Sequence, residues 1–234
     1  GALTRRGAYF VEQASFFAAF IPRLVFSRPD VIYFADLNFG NACWHWRRVT
    51  GQSFRLLFYN GGATTMPYTR CDLVQQVSPE HLDAALGRGE AALRMVLLPH
   101  GIAMSPVLPP RDDGARAATR RELGIDTGRA MLLSVGMLDA TVKRMDALID
   151  AVAMLREARP HLVMLGERTI ETPALVSRAR AKLGDAVTLA TWPRARMGEA
   201  YAAADAFALL SRREGFGLAY LEAIVPLFNS SVDR

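Results

Sequence analysis

Two carboxylates and a basic pair carry most of the chemistry this chain can offer. Glu214 and Glu222 stand eight positions apart in the run Ser211-Arg212-Arg213-Glu214-Gly215-Phe216-Gly217-Leu218-Ala219-Tyr220-Leu221-Glu222. A carboxylate accepts hydrogen bonds from hydroxyls. On a helix, eight residues make little more than two turns, so both groups could face one crevice at different depths. Gly215 and Gly217 bracket the expected helix start, where free backbone N–H groups and the positive end of the dipole favour an anion, with phosphate the expected one. Lys143 and Arg144 stand at the start of another helical pattern, a place where cations oppose the dipole unless an anion lies near. Spacing alone is weak, because Glu pairs on helices are commonly solvated surface.

The elements that must position these residues follow from periodicity. Ala206-Phe207-Ala208-Leu209-Leu210 is continuously apolar, which predicts a strand buried on both faces, as in a parallel sheet. Upstream, strand patterns at 131–135, 161–165 and 186–190 alternate with helical patterns at 144–158, 172–183 and 194–204. Such alternation indicates right-handed βαβ units and a parallel sheet covered by helices. In the first half, an aromatic-rich helix is predicted over 9–26. A short buried strand is predicted at 31–34 and further strands at 55–59, 71–78 and 95–98, with helices over 41–49 and from Pro79, the latter capped by Ser78.

Asn60-Gly61-Gly62 follows the second of those strands at its C-terminal end, where open α/β sheets place ligands. Asn60 is a site candidate there, and an ordinary αL turn is an equal reading of Asn-Gly. Trp44 and Trp46 are two apart and cannot share a helix face, so one of them is expected to face solvent or a ligand. Three prolines and a charge shift over 105–114 mark a linker. The expected organisation is a domain over 1–104, a linker over 105–116 and a domain over 117–234, the last opening with a short helix over 117–123.

With 234 residues, 51% hydrophobic and 22% charged, the chain can bury a substantial core. Its formal charge of +5 suits an anionic partner: a nucleotide diphosphate, a lipid phosphate surface or nucleic acid. The arginines lack the aromatic interleaving of a stacking platform, which ranks nucleic acid last. A solvated basic surface with no partner is the plain alternative. Cys43 and Cys71 form no C-x-x-C, and His45, His81 and His161 show no metal spacing, so two buried thiols in a reducing cytoplasm are expected.

The fuller pattern is more specific. Ser-x-x-Glu-Gly-Phe-Gly-Leu-x-x-Leu-Glu-Ala resembles the donor-binding motif, two glutamates separated by seven residues, of the GT-B glycosyltransferases of family 4, which transfer sugars from nucleotide diphosphate donors. Ser134-Val135-Gly136-Met137-Leu138 followed by Lys143-Arg144 is similar to the family's Val-Gly-Arg…Lys-Gly segment. Lys143 matches, whereas Met137 stands in place of Arg and Arg144 in place of Gly. Leu165-Gly166-Glu167 resembles the family's glycine turn behind the nucleotide, and Pro99-His100-Gly101 its turn out of the first domain. His100 is there either a site residue or a local hydrogen-bonding group. Asn60 stands where the family commonly carries a histidine.

The resemblance implies an α/β chain with two Rossmann-like parallel-sheet domains and retaining transfer of a hexose. Lys143 with Arg144 would offset charge on the leaving diphosphate, helped by backbone N–H groups at Gly215, Phe216 and Gly217. Glu214 would position the sugar and Glu222 the ribose. Gly136 and Met137 would line the donor, and Trp192 would either stack on the base or cover a strand end. No cofactor or metal is implied, since no Asp-x-Asp cluster is present. The implied partners are a nucleotide-sugar donor and a glycan, lipid or small-molecule acceptor, in a cytoplasmic protein with peripheral contact at the inner membrane face and a place in cell-envelope or polysaccharide synthesis.

The similarity is dense over 131–223 and looser over 30–108. Family members begin with a strand and glycine-rich loop before anything found here, and continue through a Gly-x-Pro turn after the position of Ala223. The first domain is therefore expected to be incomplete and the second to lack its last elements. A second reading follows: an impaired fragment that binds nucleotide sugar or serves as an interaction module. A third, an epimerase or dehydrogenase, needs a Gly-x-Gly-x-x-Gly turn after a first strand, and none occurs in that context.

Overall fold

The computed structural model describes residues 2–62, 64, 67–101, 112–126, 128–156 and 159–229. It divides into two compact units, Gly1–His100 and Gly101–Arg234.

The first unit runs α1 (Ala2–Phe26), β1 (Val31–Phe34), α2 (Leu37–Thr50), β2 (Arg55–Asn60), β3 (Leu73–Gln76), α3 (Pro79–Gly87) and β4 (Met95–Leu97). Its sheet is wholly parallel in the order β1-β2-β3-β4. Strands that step always in one direction through right-handed crossovers place their helices on one face. One core cluster accordingly joins the inward Ile32, Phe34, Leu56, Phe58 and Val74 to residues of all three helices. Phe39 of α2 sits at its centre, edge-on to Phe16, Phe20 and Phe34 at 5.1–6.3 Å. On the opposite face Tyr33 is 58% and Val96 39% exposed. The reading of 31–34 as a wholly buried strand is thus corrected to an alternating, half-covered one.

Helix starts were placed too late by periodicity. Asp36 caps α2, its Oδ1 accepting from the N–H groups of Asn38 at 2.8 Å and Phe39 at 3.0 Å, so the helix begins at Leu37 and not at 41. Gly51 ends it at φ 69°, a left-handed position that favours glycine. Both tryptophans of α2 are partly buried against the core, and Trp46 Nε1 donates to Gln52.

The second unit runs α4 (Asp113–Glu122), β5 (Met131–Val135), α5 (Met145–Met154), β6 (His161–Leu165), α6 (Thr172–Leu183), β7 (Val187–Ala190), α7 (Met197–Ala203), β8 (Ala206–Phe207) and α8 (Leu218–Asn229). Asp112 caps α4 by accepting from the Ala115 N–H at 2.9 Å. The helix therefore occupies 113–116, the end of the segment read as a linker, while 102–111 lie outside the described residues. The unit boundary falls at 100/101, where the sequence put it at 104.

This sheet is also parallel, in the order β7-β6-β5-β8. From β5 the chain steps outward to β6 and β7, then returns to place β8 on the other side of β5. Reversing direction moves the crossovers to the opposite face, so the sheet is covered twice. Helices α5 and α6 pack on one side and α4, α7 and α8 on the other. All five residues of β6 are buried, as a doubly covered parallel strand requires. Asp205 fastens α4 to the strand starts, pairing with Arg120 at 3.1 Å and accepting from the Met131 N–H at 2.7 Å. Regular strand hydrogen bonding in β8 covers only two of the five residues expected, although the Ala208 N–H still reaches the Leu133 carbonyl at 2.9 Å. The reading of 206–210 as buried on both faces is corrected as well: Ala206 and Leu210 are exposed, because β8 stands at the edge of the described sheet and pairs only with β5.

Candidate functional site

In an open α/β sheet, ligands bind beyond the carboxyl ends of the strands where strand order reverses. In the second unit that point lies between β5 and β8. The loop after β5 carries Gly136 to Arg144, and the loop after β8 carries Ser211 to Gly217. Lys143 Nζ donates to Glu214 Oε1 at 2.8 Å across the two loops, with both side chains half-buried. The Arg212 N–H meets the Val142 carbonyl at 2.9 Å and ties the same loops together.

Lys143 is put in place by a group that sequence reasoning missed. The buried Asp139 turns its Oδ1 back on the chain and accepts from the N–H groups of Val142 and Lys143, both at 2.7 Å. Arg144 then enters α5 in the left-handed region at φ 54°, with Nε 3.4 Å from Asp146 Oδ1. The stem of Lys143 lies over Gly136, where a Cβ would stand 3.2 Å from three of its methylenes. Met137, next in line, is 41% exposed.

The loop after β6 supports the loop after β5 from beneath. A Cβ on Gly166 would stand 1.7 Å from the Gly136 carbonyl oxygen, so no residue with a side chain fits there without moving backbone. Glu171 accepts from the Ala140 N–H at 2.9 Å and the Thr141 hydroxyl at 2.8 Å. The hydroxyls of Thr169 and Thr172 both donate to the Leu138 carbonyl at 3.0 Å. Thr-x-Glu-Thr was a visible cue, but its partners lie about thirty positions upstream.

Gly217 takes φ 78° and α8 begins at the next residue, so the first N–H groups of the helix open beside Gly215, Phe216 and Glu214. Glu222 lies on α8 with its Oε2 accepting from the Tyr201 hydroxyl at 3.0 Å. Tyr201, on α7, is only 3% exposed, and burial, with the Glu222 charge beside it, pushes its hydroxyl pKa up. It therefore stays a donor to Glu222. Nothing in the sequence near Glu222 pointed to this tyrosine, 21 positions away.

Two further candidates make contacts of their own. Trp192 packs against the core, gives its Nε1–H to the Arg196 carbonyl at 3.1 Å and has the Arg196 guanidinium 4.6 Å from its ring centroid. Asn60 belongs to the first unit and is 2% exposed. Its Nδ2 reaches Tyr68 Oη and Gln76 Oε1, both at 2.9 Å, and its Oδ1 accepts from the Thr64 N–H at 2.8 Å. It clamps the turn after β2 to β3, and its amide is occupied. The αL-turn reading fails, since none of residues 60–62 has positive φ, and Asn60 is among the residues that line a cavity at the end of β2. His100 shares a hydrogen bond with the Tyr59 hydroxyl at 2.6 Å in the same unit.

Residues 129–225 match the family model described as glycosyl transferases group 1. Through this segment the chain is similar to the group 1 glycosyl transferases. Over 130 residues it is 33% identical to the D-inositol 3-phosphate glycosyltransferase of Segniliparus rotundus, covering 50% of this chain and 29% of that one. A sucrose-phosphate synthase of Thermosynechococcus elongatus superposes with a TM-score of 0.70 at 22% identity, over 94% of this chain and 60% of the other. HepE of Anabaena, solved with UDP-glucose, gives 0.69 at 18% identity, over 92% and 60%. At these identities the structural likeness is one of fold, the two parallel-sheet units of GT-B. The chain thus spans about 60% of the solved chains, and its match takes in less than a third of the curated relative.

Among the described residues no helix is long and apolar enough to cross a membrane. Cys43 and Cys71 are free and buried, their thiol pKa values pushed up by burial to about 12 and about 11.

Proposed function

We propose that the chain is a retaining glycosyltransferase that moves a hexose from a nucleotide-diphosphate sugar to an acceptor, with the donor held by the second unit. The observation that carries this reading is the Lys143–Glu214 contact at the strand-order reversal, beside the open start of α8. Lys143 and Arg144 offset the charge that grows on the leaving diphosphate, and the first N–H groups of α8 add to that field. Glu214 accepts from the sugar hydroxyls. Glu222, held by Tyr201, accepts from the ribose. The reading gives the leaving group's charge to these cations and needs no metal ion. The donor class is supported by HepE, whose structure holds UDP-glucose. The family resemblance supports retention of configuration.

In this reading the protein works in the cytoplasm, in cell-envelope or polysaccharide synthesis. The free thiols support a reducing compartment. The exposed Phe10, Phe16 and Phe26 of α1 support peripheral contact with the inner membrane face.

A second reading, donor binding without transfer, is favoured by the occupied amide of Asn60 and by the uncharged Met137 where the family carries arginine. Calorimetry with UDP and UDP-glucose, together with turnover on a panel of sugar nucleotides, decides between them. Saturable binding that weakens in Lys143→Ala and Glu222→Ala is expected. Absence of saturable binding, or indifference to both substitutions, defeats the donor site, and binding without turnover selects the second reading.

A further inference from the structure

Helix α1 presents an apolar stripe that none of the described residues of the first unit covers. Its Phe17, Phe20 and Leu24 pack on the core cluster, and the Tyr9 hydroxyl donates to Asp36 at the start of α2. Turned away from those contacts are Val11, Ala14, Ala18, Pro22 and Val25, all of them exposed. At 3.6 residues per turn, the five lie within about 40° of the direction of Ala18. Phe10 and Phe26 flank the stripe at its two ends and are 71% and 85% exposed.

The spacing of the stripe reads the same in both directions. Intervals of three, four, four and three residues separate its positions, so that Val11 answers Val25, Ala14 answers Pro22 and Phe10 answers Phe26 about Ala18. A twofold interface sets one patch against its own copy, residue i meeting j while j meets i. Two α1 helices laid antiparallel about Ala18 meet that condition. The small side chains at the centre let the helices approach, and the valines and phenylalanines close the two ends. Charge selects the same direction. Glu12 and Arg23 lie on one side of α1, six residues before and five after Ala18, and neither has an ion-pair partner among the described residues. Antiparallel pairing brings Glu12 of each copy level with Arg23 of the other, whereas parallel pairing sets like charge beside like. The four large side chains expose on the order of 400–500 Å² per copy, so a pair buries roughly 1,000 Å² in all, the size of a weak, reversible interface. We propose that the chain forms a reversible antiparallel dimer through this face of α1, with a second copy of the same chain as the occupant.

The dimer draws on the first unit alone and does not depend on what the second unit binds. Sedimentation equilibrium of the whole chain between about 1 and 100 μM should show concentration-dependent dimerisation. Ala18→Arg sets two like charges together at the twofold and should weaken association about tenfold or more. Glu12→Arg and Arg23→Glu should each weaken it about two- to fivefold, and the two changes in one chain should restore it. Ala18→Cys reads the axis itself. Under mild oxidation it should give a linked dimer about tenfold faster than Ala19→Cys, which is also exposed but turned by about 100°. Cys43 and Cys71 are buried, so the parent chain should stay unlinked. Urea midpoints close to the parent's confirm that each variant folds. A monomer throughout the concentration range, association unchanged in Ala18→Arg, or equal linkage at positions 18 and 19 overturns the proposal. Cosedimentation with vesicles of phosphatidylcholine and phosphatidylglycerol, by a chain that is monomeric without them, gives the stripe to a membrane surface and overturns it as well.

Discussion

Lys143 Nζ stands 2.8 Å from Glu214 Oε1, so the lysine assigned to the diphosphate and the glutamate assigned to the sugar are hydrogen-bonded to each other. In the proposed function the pair is a junction between the two halves of a donor. Glu214→Gln removes the charge that holds Lys143. UDP should then bind as well as or better than to the parent, while UDP-glucose loses its advantage over UDP. Lys143→Ala should weaken both by roughly 10- to 100-fold, the range for a lost charge-assisted hydrogen bond. Calorimetric titration of the two ligands against the two variants separates the roles. Equal loss of both ligands in Glu214→Gln would remove Glu214 from the sugar.

Arg144 supports an opposite trade. A side chain at φ 54° in the left-handed region costs on the order of 1 kcal/mol, which glycine avoids. Arg144→Gly is therefore expected to raise the urea midpoint slightly while lowering affinity for UDP several-fold. A variant both more stable and equally tight would show that the guanidinium takes no part in binding.

Gly166→Ala tests the support beneath the donor loop. With the added carbon 1.7 Å from the Gly136 carbonyl oxygen, backbone must shift. Destabilisation of about 2–3 kcal/mol by denaturant titration is expected, with UDP affinity falling in parallel. Retained binding in a destabilised variant would separate the loop's shape from the site.

Tyr201→Phe removes one hydroxyl and keeps the ring. Its expected signature is selective: affinity for UDP drops about 5- to 10-fold through a less constrained Glu222, whereas inorganic pyrophosphate, which has no ribose, binds as to the parent. A drop for both ligands would mean that the tyrosine only supports packing.

His161 gives the second unit a pH dependence. Thr188 gives its hydroxyl proton to the Leu123 carbonyl, so His161 Nε2 must be the donor to Thr188, at 2.8 Å, and Nδ1 is the buried, unprotonated nitrogen without a partner among the described residues. Burial first, and the nearby Arg129 second, lower the pKa of His161 from 6.5. An unfolded chain then takes up the proton more readily than the folded one. The stabilising contribution is complete above about 6.5 and is lost as the pH falls through the lowered folded value. Urea midpoints measured between about pH 5 and pH 8 should decline on the acid side, and His161→Gln should flatten that decline. An unchanged acid slope would place the dependence on another group.

The parts legible in the sequence are those set by local pattern. The strand patterns at 131–135, 161–165 and 186–190 and the helical patterns between them were legible as a parallel sheet, whereas the apolar run 206–210 did not show that its strand lies at a sheet edge with Ala206 and Leu210 exposed. The turns that carry Lys143 and Glu214 were legible too, since glycine and charge at strand ends mark a reversal point. Asp139, Glu171 and Tyr201 were not, because each acts on a partner set by folding and its own neighbours give no sign of it. Asn60 was legible only as a strand-end amide, which looks the same whether it meets a ligand or Gln76 of the next strand. In the first unit, stepping in one direction leaves a sheet face open, which the apolar run of β1 did not reveal. The early starts of α2 and α4 were carried by Asp36 and Asp112, cap residues just outside the periodic stretch.

The near-contact of Gly166 with the Gly136 carbonyl makes two loops into one inflexible floor, with no slack for a methyl group. A change of donor preference in this scaffold must then be written in the side chains that stand on that floor, Met137 and Arg144 first, and engineering that aims at the glycines themselves will lose the protein before it alters the sugar.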